Sequence, residues 1–224
     1  MATSDLPAPG STERTRIRRL PEKAVTEREV AYAILDAALM AHVGVTVDGQ
    51  PFVVPVACAR RDDEVIFHGS SASRLFTSLA AGAPTCLTVT LLDGLVLARS
   101  LFESSMHYRS IMVLGVARVL TGDDEIDALL ALSEHLMPGR TTEARHPTTK
   151  ELKATITLAL PLDEMSVKVG DGPPDDVPTD LVEQPYAGVW AGSVPIECTY
   201  GVPVADEQAA SVPVPTYIEG WRWP

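Results

Sequence analysis

The chain has 224 residues, 46% hydrophobic and 21% charged, which is enough length and apolar content for one full globular core. Its 18 basic and 30 acidic residues leave a net charge of −12, which excludes a general nucleic-acid or anionic-membrane binder, because neutralising phosphates needs a basic face. A local basic pocket for one small phosphate is compatible with that balance.

Residues 1–20 are rich in Ser, Thr, Pro and Arg and read as a mobile arm. Thr26-Glu27-Arg28-Glu29 reads as a capping box, with Thr26 as N-cap and Glu29 returning to it. Val30, Ala31, Ile34, Leu35 and Ala38 follow at helical spacing. After Met40 the period changes. His42–Val47, Pro51–Ala59 and Glu64–His68 are β-branched or apolar runs separated by the turn sequences Asp48-Gly49 and Arg61-Asp62-Asp63, and they predict an antiparallel meander. A serine-rich loop leads to a helix over Ser73–Ala81, ended by Gly82 and Pro84. Thr85–Leu92 and Leu95–Phe102 predict a pair of strands around Asp93-Gly94, and Ser110–Leu120 predicts the next strand.

Gly122-Asp123-Asp124 caps a helix carrying Ile126, Leu129, Leu130, Leu132 and Leu136. Residues 138–150 form a polar basic loop with Arg140, Arg145 and His146. A strand over Ala154–Val169 is interrupted at Pro161-Leu162-Asp163. Beyond Gly170 the chain is proline-rich and acidic with apolar anchors Trp190, Trp221 and Trp223, so it is expected to be extended and draped on its own or a partner's surface. The expected division is an arm (1–20), a barrel domain (21–170) and an extension (171–224). About six short strands with inserted helices predict a closed or half-open antiparallel barrel of the α+β, mainly β, class. Tight turns between the first strands disfavour a parallel doubly wound sheet, and neither G-x-G-x-x-G nor a P-loop occurs.

Cys58, Cys86 and Cys198 contain no C-x-x-C pair and indicate neither a zinc site nor a disulfide framework. The first two read as core thiols. No apolar run reaches the length of a membrane span and the N-terminus has no signal-peptide core, so a cytoplasmic protein is expected.

The segment from Val65 to Arg74 carries the clearest chemistry. An apolar strand runs into a hydroxyl-rich loop (Ser70, Ser71, Ser73) that ends in Arg74 at a helix start. Backbone N–H groups, serine hydroxyls and a guanidinium can converge there on a phosphate. A cation at a helix N-terminus opposes the dipole preference, which favours a functional role for Arg74 over a structural one. Tyr108-Arg109-Ser110 offers polar groups at the mouth of another apolar strand. Arg109 reads equally as a surface ion-pair partner, and His68 equally as a strand-end histidine bonded to a carbonyl. His107, His135 and His146 suggest no metal geometry, and His135 is expected to be solvated.

The order of these elements resembles the pyridoxamine 5′-phosphate oxidase-like FMN-binding split barrels, in particular the branch of nitroimidazole-resistance-type and flavin-nucleotide-binding proteins. The resemblance spans residues 16–170. It implies a six-stranded antiparallel split barrel that binds FMN and pairs as a homodimer. On it, the backbone of Val53, Val54, Pro55 and Val56 lines the isoalloxazine edge, and Phe67 and His68 meet the ring and ribityl chain. Ser73 and Arg74 bind the phosphate, and Ser110, following Arg109, which is also placed at the cofactor site, stands where pyridoxamine phosphate oxidases tend to carry Gln. Trp190 either closes over a flavin at the dimer interface or is a plain apolar anchor.

Phe52–Ala57 is apolar where the oxidases are rich in Arg and Lys, and Ser73-Arg74 stands in place of Arg-Lys. These departures argue against pyridoxamine phosphate oxidation. The implied function is an FMN-dependent oxidoreductase of small molecules, nitro compounds or quinones among them. The alternatives are a non-catalytic flavin-binding or storage module, or a split barrel for haem or deazaflavin with His68 or His107 as haem ligand. No metal, nucleic-acid or membrane partner is implied.

Overall fold

The computed structural model describes residues 6–223. In chain order the elements are β1 (Ala24–Val25), α1 (Arg28–Asp36), β2 (Met40–Val47), β3 (Gln50–Arg61), β4 (Glu64–Ser70), α2 (Arg74–Ala80), β5 (Pro84–Leu97), β6 (Ser105–Val116), β7 (Arg118–Val119), α3 (Asp123–Leu136), α4 (Thr149–Lys153), β8 (Thr155–Pro161), β9 (Met165–Gly170), β10 (Gly192–Pro195) and α5 (Thr216–Glu219). The strands form one antiparallel sheet in the order β1-β9-β6-β5-β2-β3-β4-β8-β7, with β10 added to the far end of β5. The sheet has ten strands: β1, β7 and β10, of two to four residues, extend it at its margins, and the run after Ala154 divides into β8 and β9.

Two crossings split the barrel. Strand β3 pairs with β2 from Gln50 to Ala57, then with β4 from Cys58 to Arg61. Strands β8 and β9 are consecutive but do not pair with each other: β8 lies between β4 and β7, and β9 between β6 and β1. The break at Pro161-Leu162-Asp163 therefore carries the chain from one half to the other.

The main core gathers Val43 and Val45 of β2, Phe67 of β4, Leu87 and Val89 of β5, Ile111 and Val113 of β6 and Leu158 and Leu160 of β8. Helix α1 closes it with Ile34 and Leu35, and α2 with Leu75, Phe76 and Leu79. Each such fully buried aliphatic or aromatic side chain is worth about 1.5–3 kcal/mol. A smaller core joins Ala59, Ile66 and Ala159 to Ala128 and Leu132 of α3. The period of two along β4 thus sends Val65 and Phe67 into the main core and Ile66 toward α3.

Several local expectations are corrected. Asp93-Gly94 is not a turn: β5 runs unbroken for 14 residues, with a register shift between Leu92 and Gly94. Arg109 on the neighbouring strand holds the Asp93 carboxylate, and Gly94 leaves room for the Val194 carbonyl oxygen, which a Cβ there would meet at 2.8 Å. The chain instead reverses over residues 98–104, so β6 begins at Ser105 and not Ser110. At α1 the N-cap is Glu27 with no side-chain capping bond, because its carboxylate takes the Thr26 N–H at 3.0 Å. The capping box lies instead at Thr148 and Glu151.

The arm's residues 6–20 are tied to the β8–β9 turn: the Gly10 N–H bonds the Met165 carbonyl at 2.8 Å, the Thr12 hydroxyl bonds Glu164 at 2.7 Å, and Thr15 is buried. The expectation for residues 1–5 falls outside the described residues.

Gly69 marks where β4 passes the α2 ring layer. A Cβ there would come within 2.1 Å of the Phe76 ring, and Phe76 is itself held in the core. Gly69→Ala is expected to destabilise the fold by about 1–3 kcal/mol, read as a lower midpoint of urea unfolding; an unchanged midpoint would contradict this packing.

Candidate cofactor sites

The sequence-derived candidates separate into three places. The first is the open edge of β3. Between Gln50 and Ala57 this strand has β2 on one side and, among the described residues, no strand on the other. Val53 is 68% exposed, Val54 37%, and Pro55 is exposed, whereas Val56 turns into the core. Val54, Ser73 and Arg74 line a common cavity of about 240 Å³ with Val45, Phe52 and Leu75.

Phe52, which the sequence did not single out, explains the pose of Arg74, whose guanidinium lies 5.0 Å from the centre of the Phe52 ring. Among the described residues no carboxylate pairs with Arg74, although the barrel's other arginines at Arg28, Arg60, Arg61, Arg109 and Arg118 are all paired. Ser73 is the N-cap of α2, but its hydroxyl makes no capping bond, so the first-turn N–H groups keep their donors. A cation, a free hydroxyl and free backbone donors thus face one cavity, an arrangement suited to an anion.

The second place lies on the opposite face of β4. Phe67 and His68 do not act together. Phe67 is fully buried in the main core, tilted against Phe76 at 6.0 Å, and its side chain offers no surface to a ligand. His68 points the other way, into a cavity of about 590 Å³ formed with α3, α4 and the loop between them. That volume is within the range of small-molecule sites. Leu129, Leu130, Met137 and Leu152 give it apolar walls, and Arg140, Arg145, His146 and Glu151 also line it, Arg140 paired with Glu143 and Arg145 with Glu151.

The His68 ring is open to the cavity yet surrounded by protein, and this desolvation pushes its pKa below the usual histidine value. No protein hydrogen bond engages it among the described residues, so the strand-end reading, a ring bonded to a carbonyl, is not what the structure has. The basic loop 138–150 was visible in the sequence, but nothing there linked it to a histidine about 70 residues earlier.

The third place is the β5–β6 bulge. Arg109 donates to Asp93 through Nε at 2.9 Å and Nη2 at 2.8 Å, which is the ion-pair reading. The pair borders a cavity with Ile196, Cys198 and Trp223. Ser110 contacts only the Lys168 carbonyl, at 3.4 Å. Two further histidines are engaged: His107 bonds the Gly172 carbonyl at 2.8 Å. His135, expected to be solvated, is half-buried and bonds the Ala38 carbonyl at 2.7 Å. Cys58 is a core thiol whose pKa burial pushes up to about 12. Among the described residues no His, Cys, Asp or Glu cluster could hold a metal, and no helix is long and apolar enough to cross a membrane.

Because folding lowers the His68 pKa, the unfolded chain binds the proton more tightly. Its contribution to stability is present above the unfolded value near 6.5 and is lost as pH falls through the folded value. An NMR titration is expected to give a His68 pKa below that of a free histidine, and a value at or above it would contradict the desolvated placement.

The sequence model of the pyridoxamine 5′-phosphate oxidase family matches residues 27–169. The fold is similar to the FAD- and haem-binding protein from Mycobacterium smegmatis, at 41% identity and a TM-score of 0.84 over 89% of this chain and 97% of that one. It is similar also to the flavocytochrome Anf3 from Azotobacter vinelandii, at 38% identity and a TM-score of 0.87 over 97% of this chain and 100% of that one. A candidate 5-nitroimidazole antibiotic resistance protein from Bacteroides thetaiotaomicron shares the fold at 21% identity and a TM-score of 0.55, over 65% of this chain and 86% of that one. A search of curated proteins gives no match. With the match covering most of the barrel, and two structures of this similarity over nearly their whole length, the chain belongs to the pyridoxamine 5′-phosphate oxidase family.

Proposed function

We propose that this protein is a two-cofactor redox protein that binds a flavin at the open edge of β3 and a haem in the His68 cavity. The observation that carries the reading is the separation of two complementary sites on opposite faces of the β3–β4 unit. One is an anion site built on Arg74 without a carboxylate partner. The other is a cavity with apolar walls on which the His68 imidazole opens without a protein hydrogen bond among the described residues. The two relatives near 40% identity, described as a FAD- and haem-binding protein and a flavocytochrome, support the same pairing.

The residues fit each group chemically. At the first site Arg74, Ser73 and the α2 N–H groups would hold the flavin phosphate, and the exposed β3 edge would meet the ring system. At the second, the partial desolvation of His68 favours the neutral form that binds iron. Leu129, Leu130, Met137 and Leu152 would pack on the macrocycle, while Arg140 and Arg145, paired with Glu143 and Glu151, would have to exchange those partners to meet its carboxylates. His107, bonded to Gly172, is not the haem ligand in this reading. The flavin is FAD rather than the FMN that the family resemblance implies, a choice supported by the relative described as FAD- and haem-binding.

Bound together, the cofactors would supply one-electron and hydride chemistry, and the protein would supply orientation and electrostatics for an oxidoreductase. A homodimer belongs to this proposal, supported by the exposed apolar side chains Val53, Leu95, Leu97 and Met106 on the β3 and β5–β6 surfaces.

Reconstitution tests these assignments separately. Arg74→Ala should weaken flavin binding by about tenfold or more, as expected for loss of a charge-assisted contact, and leave the haem Soret band intact. His68→Ala should abolish the native Soret band and leave flavin absorbance intact. Either variant behaving like the native protein would refute its assignment, and mass analysis of the released flavin should give FAD.

A further inference from the structure

The His68 cavity has an outer wall that the barrel does not supply. That wall is the loop from Met137 to Pro147, which carries Arg140, Arg145 and His146. From inside the loop is held by Glu134, whose carboxylate accepts the Thr141 hydroxyl at 2.6 Å and the Gly139 N–H at 2.7 Å. From outside it is held by the far C-terminal segment.

The Trp221 indole N–H donates to the Pro138 carbonyl at 2.9 Å. The Tyr217 hydroxyl donates to the Glu143 carboxylate and accepts from Arg140 Nη1 at 3.2 Å. The Tyr217 ring lies over Gly139, which has a φ of +85° and where a Cβ would meet that ring at 2.9 Å. The rings also hold one another: Tyr217 to Trp221 at 6.3 Å, and Tyr200 to Trp221 and to Trp223 at 5.5 Å each.

Between β10 and Thr216 the chain has little to secure it. Val202 and Val204 are 90% and 93% exposed. Ordering so exposed a segment costs backbone entropy at every residue, and its tightest polar and aromatic contacts fall on this single wall.

We propose that Thr216–Trp223 is a strap that holds the Met137–Pro147 wall over the His68 cavity and thereby sets how long a bound haem is retained. Tyr217 and Trp221 are positioning residues: they touch the loop and Arg140, not the cofactor. The proposal rests on the haem reading above. With the strap in place the apolar walls stay closed around the ring and Arg140 stays at the rim; with it released the loop opens to water.

The test uses full-length Tyr217→Phe, which removes two polar contacts, Trp221→Phe, which removes one, each keeping an aromatic ring in place, and the double variant. Val204→Ser, in the same tail but outside the ring cluster, is the control. Two quantities are measured: amide hydrogen exchange across 138–146 without cofactor, and transfer of haem from the loaded protein to excess apomyoglobin. The double variant should exchange this loop and release haem about tenfold faster or more than native, with flavin affinity unchanged, and Val204→Ser should match native. Native exchange in the double variant, or a loosened loop with haem release at the native rate, would overturn the strap. Native protein that takes up no haem would instead remove the haem reading, and the strap's role in retention with it.

Discussion

The passage of β3 from one half of the barrel to the other, at Ala57 and Cys58, is the constraint on which both sites depend. Before it, β3 has a partner on one side only, and the resulting open edge presents Val53, Val54 and Pro55. After it, β3 aligns β4, whose two faces serve different ends. Phe67 seals the main core and His68 leaves it. Because side chains alternate along a strand, a one-residue slip in the β3–β4 register would exchange these roles. The same slip would drive an imidazole into an apolar core. The hydrophobic demand of the core therefore fixes the chemistry of the opposite face.

Charge pairing separates the arginines by role. Arg109 and Arg118 are held by carboxylates, and each such pair at the surface contributes little to stability. Arg74 rests over the Phe52 ring at a helix N-terminus, where the dipole opposes it. An anion at that position would satisfy the guanidinium, the helix N–H groups and the Ser73 hydroxyl at once. At His68 no charge partner is involved: the surrounding protein partly desolvates the imidazole and favours its neutral form.

Much of the fold was legible in the sequence because strand periods and turn residues agreed over the first meander, and the Gly82 stop and the Pro161 break fell where the structure has them. Asp93-Gly94 misled because a turn dipeptide is also bulge chemistry, and only the partner Arg109 across the sheet distinguishes the two. At the first site, Val54, Ser73 and Arg74, brought together only by the family resemblance, line one cavity, while Phe52 was hidden because its role depends on a guanidinium 22 positions later. Phe67 and His68 read as one patch, although adjacent strand residues face opposite ways. The wall of the His68 cavity was not legible as a site at all. Its residues come from α3, from a loop and from α4, and they are tied down by aromatic residues near the C-terminus.

The central claim is that one chain carries two separate cofactor sites. The most direct measurement is a spectroscopic titration of haem into protein already saturated with flavin, following flavin release and haem uptake together. The account predicts haem binding at one equivalent per chain with the flavin retained. Stoichiometric loss of flavin as haem binds, which would mean a single shared site, would contradict it.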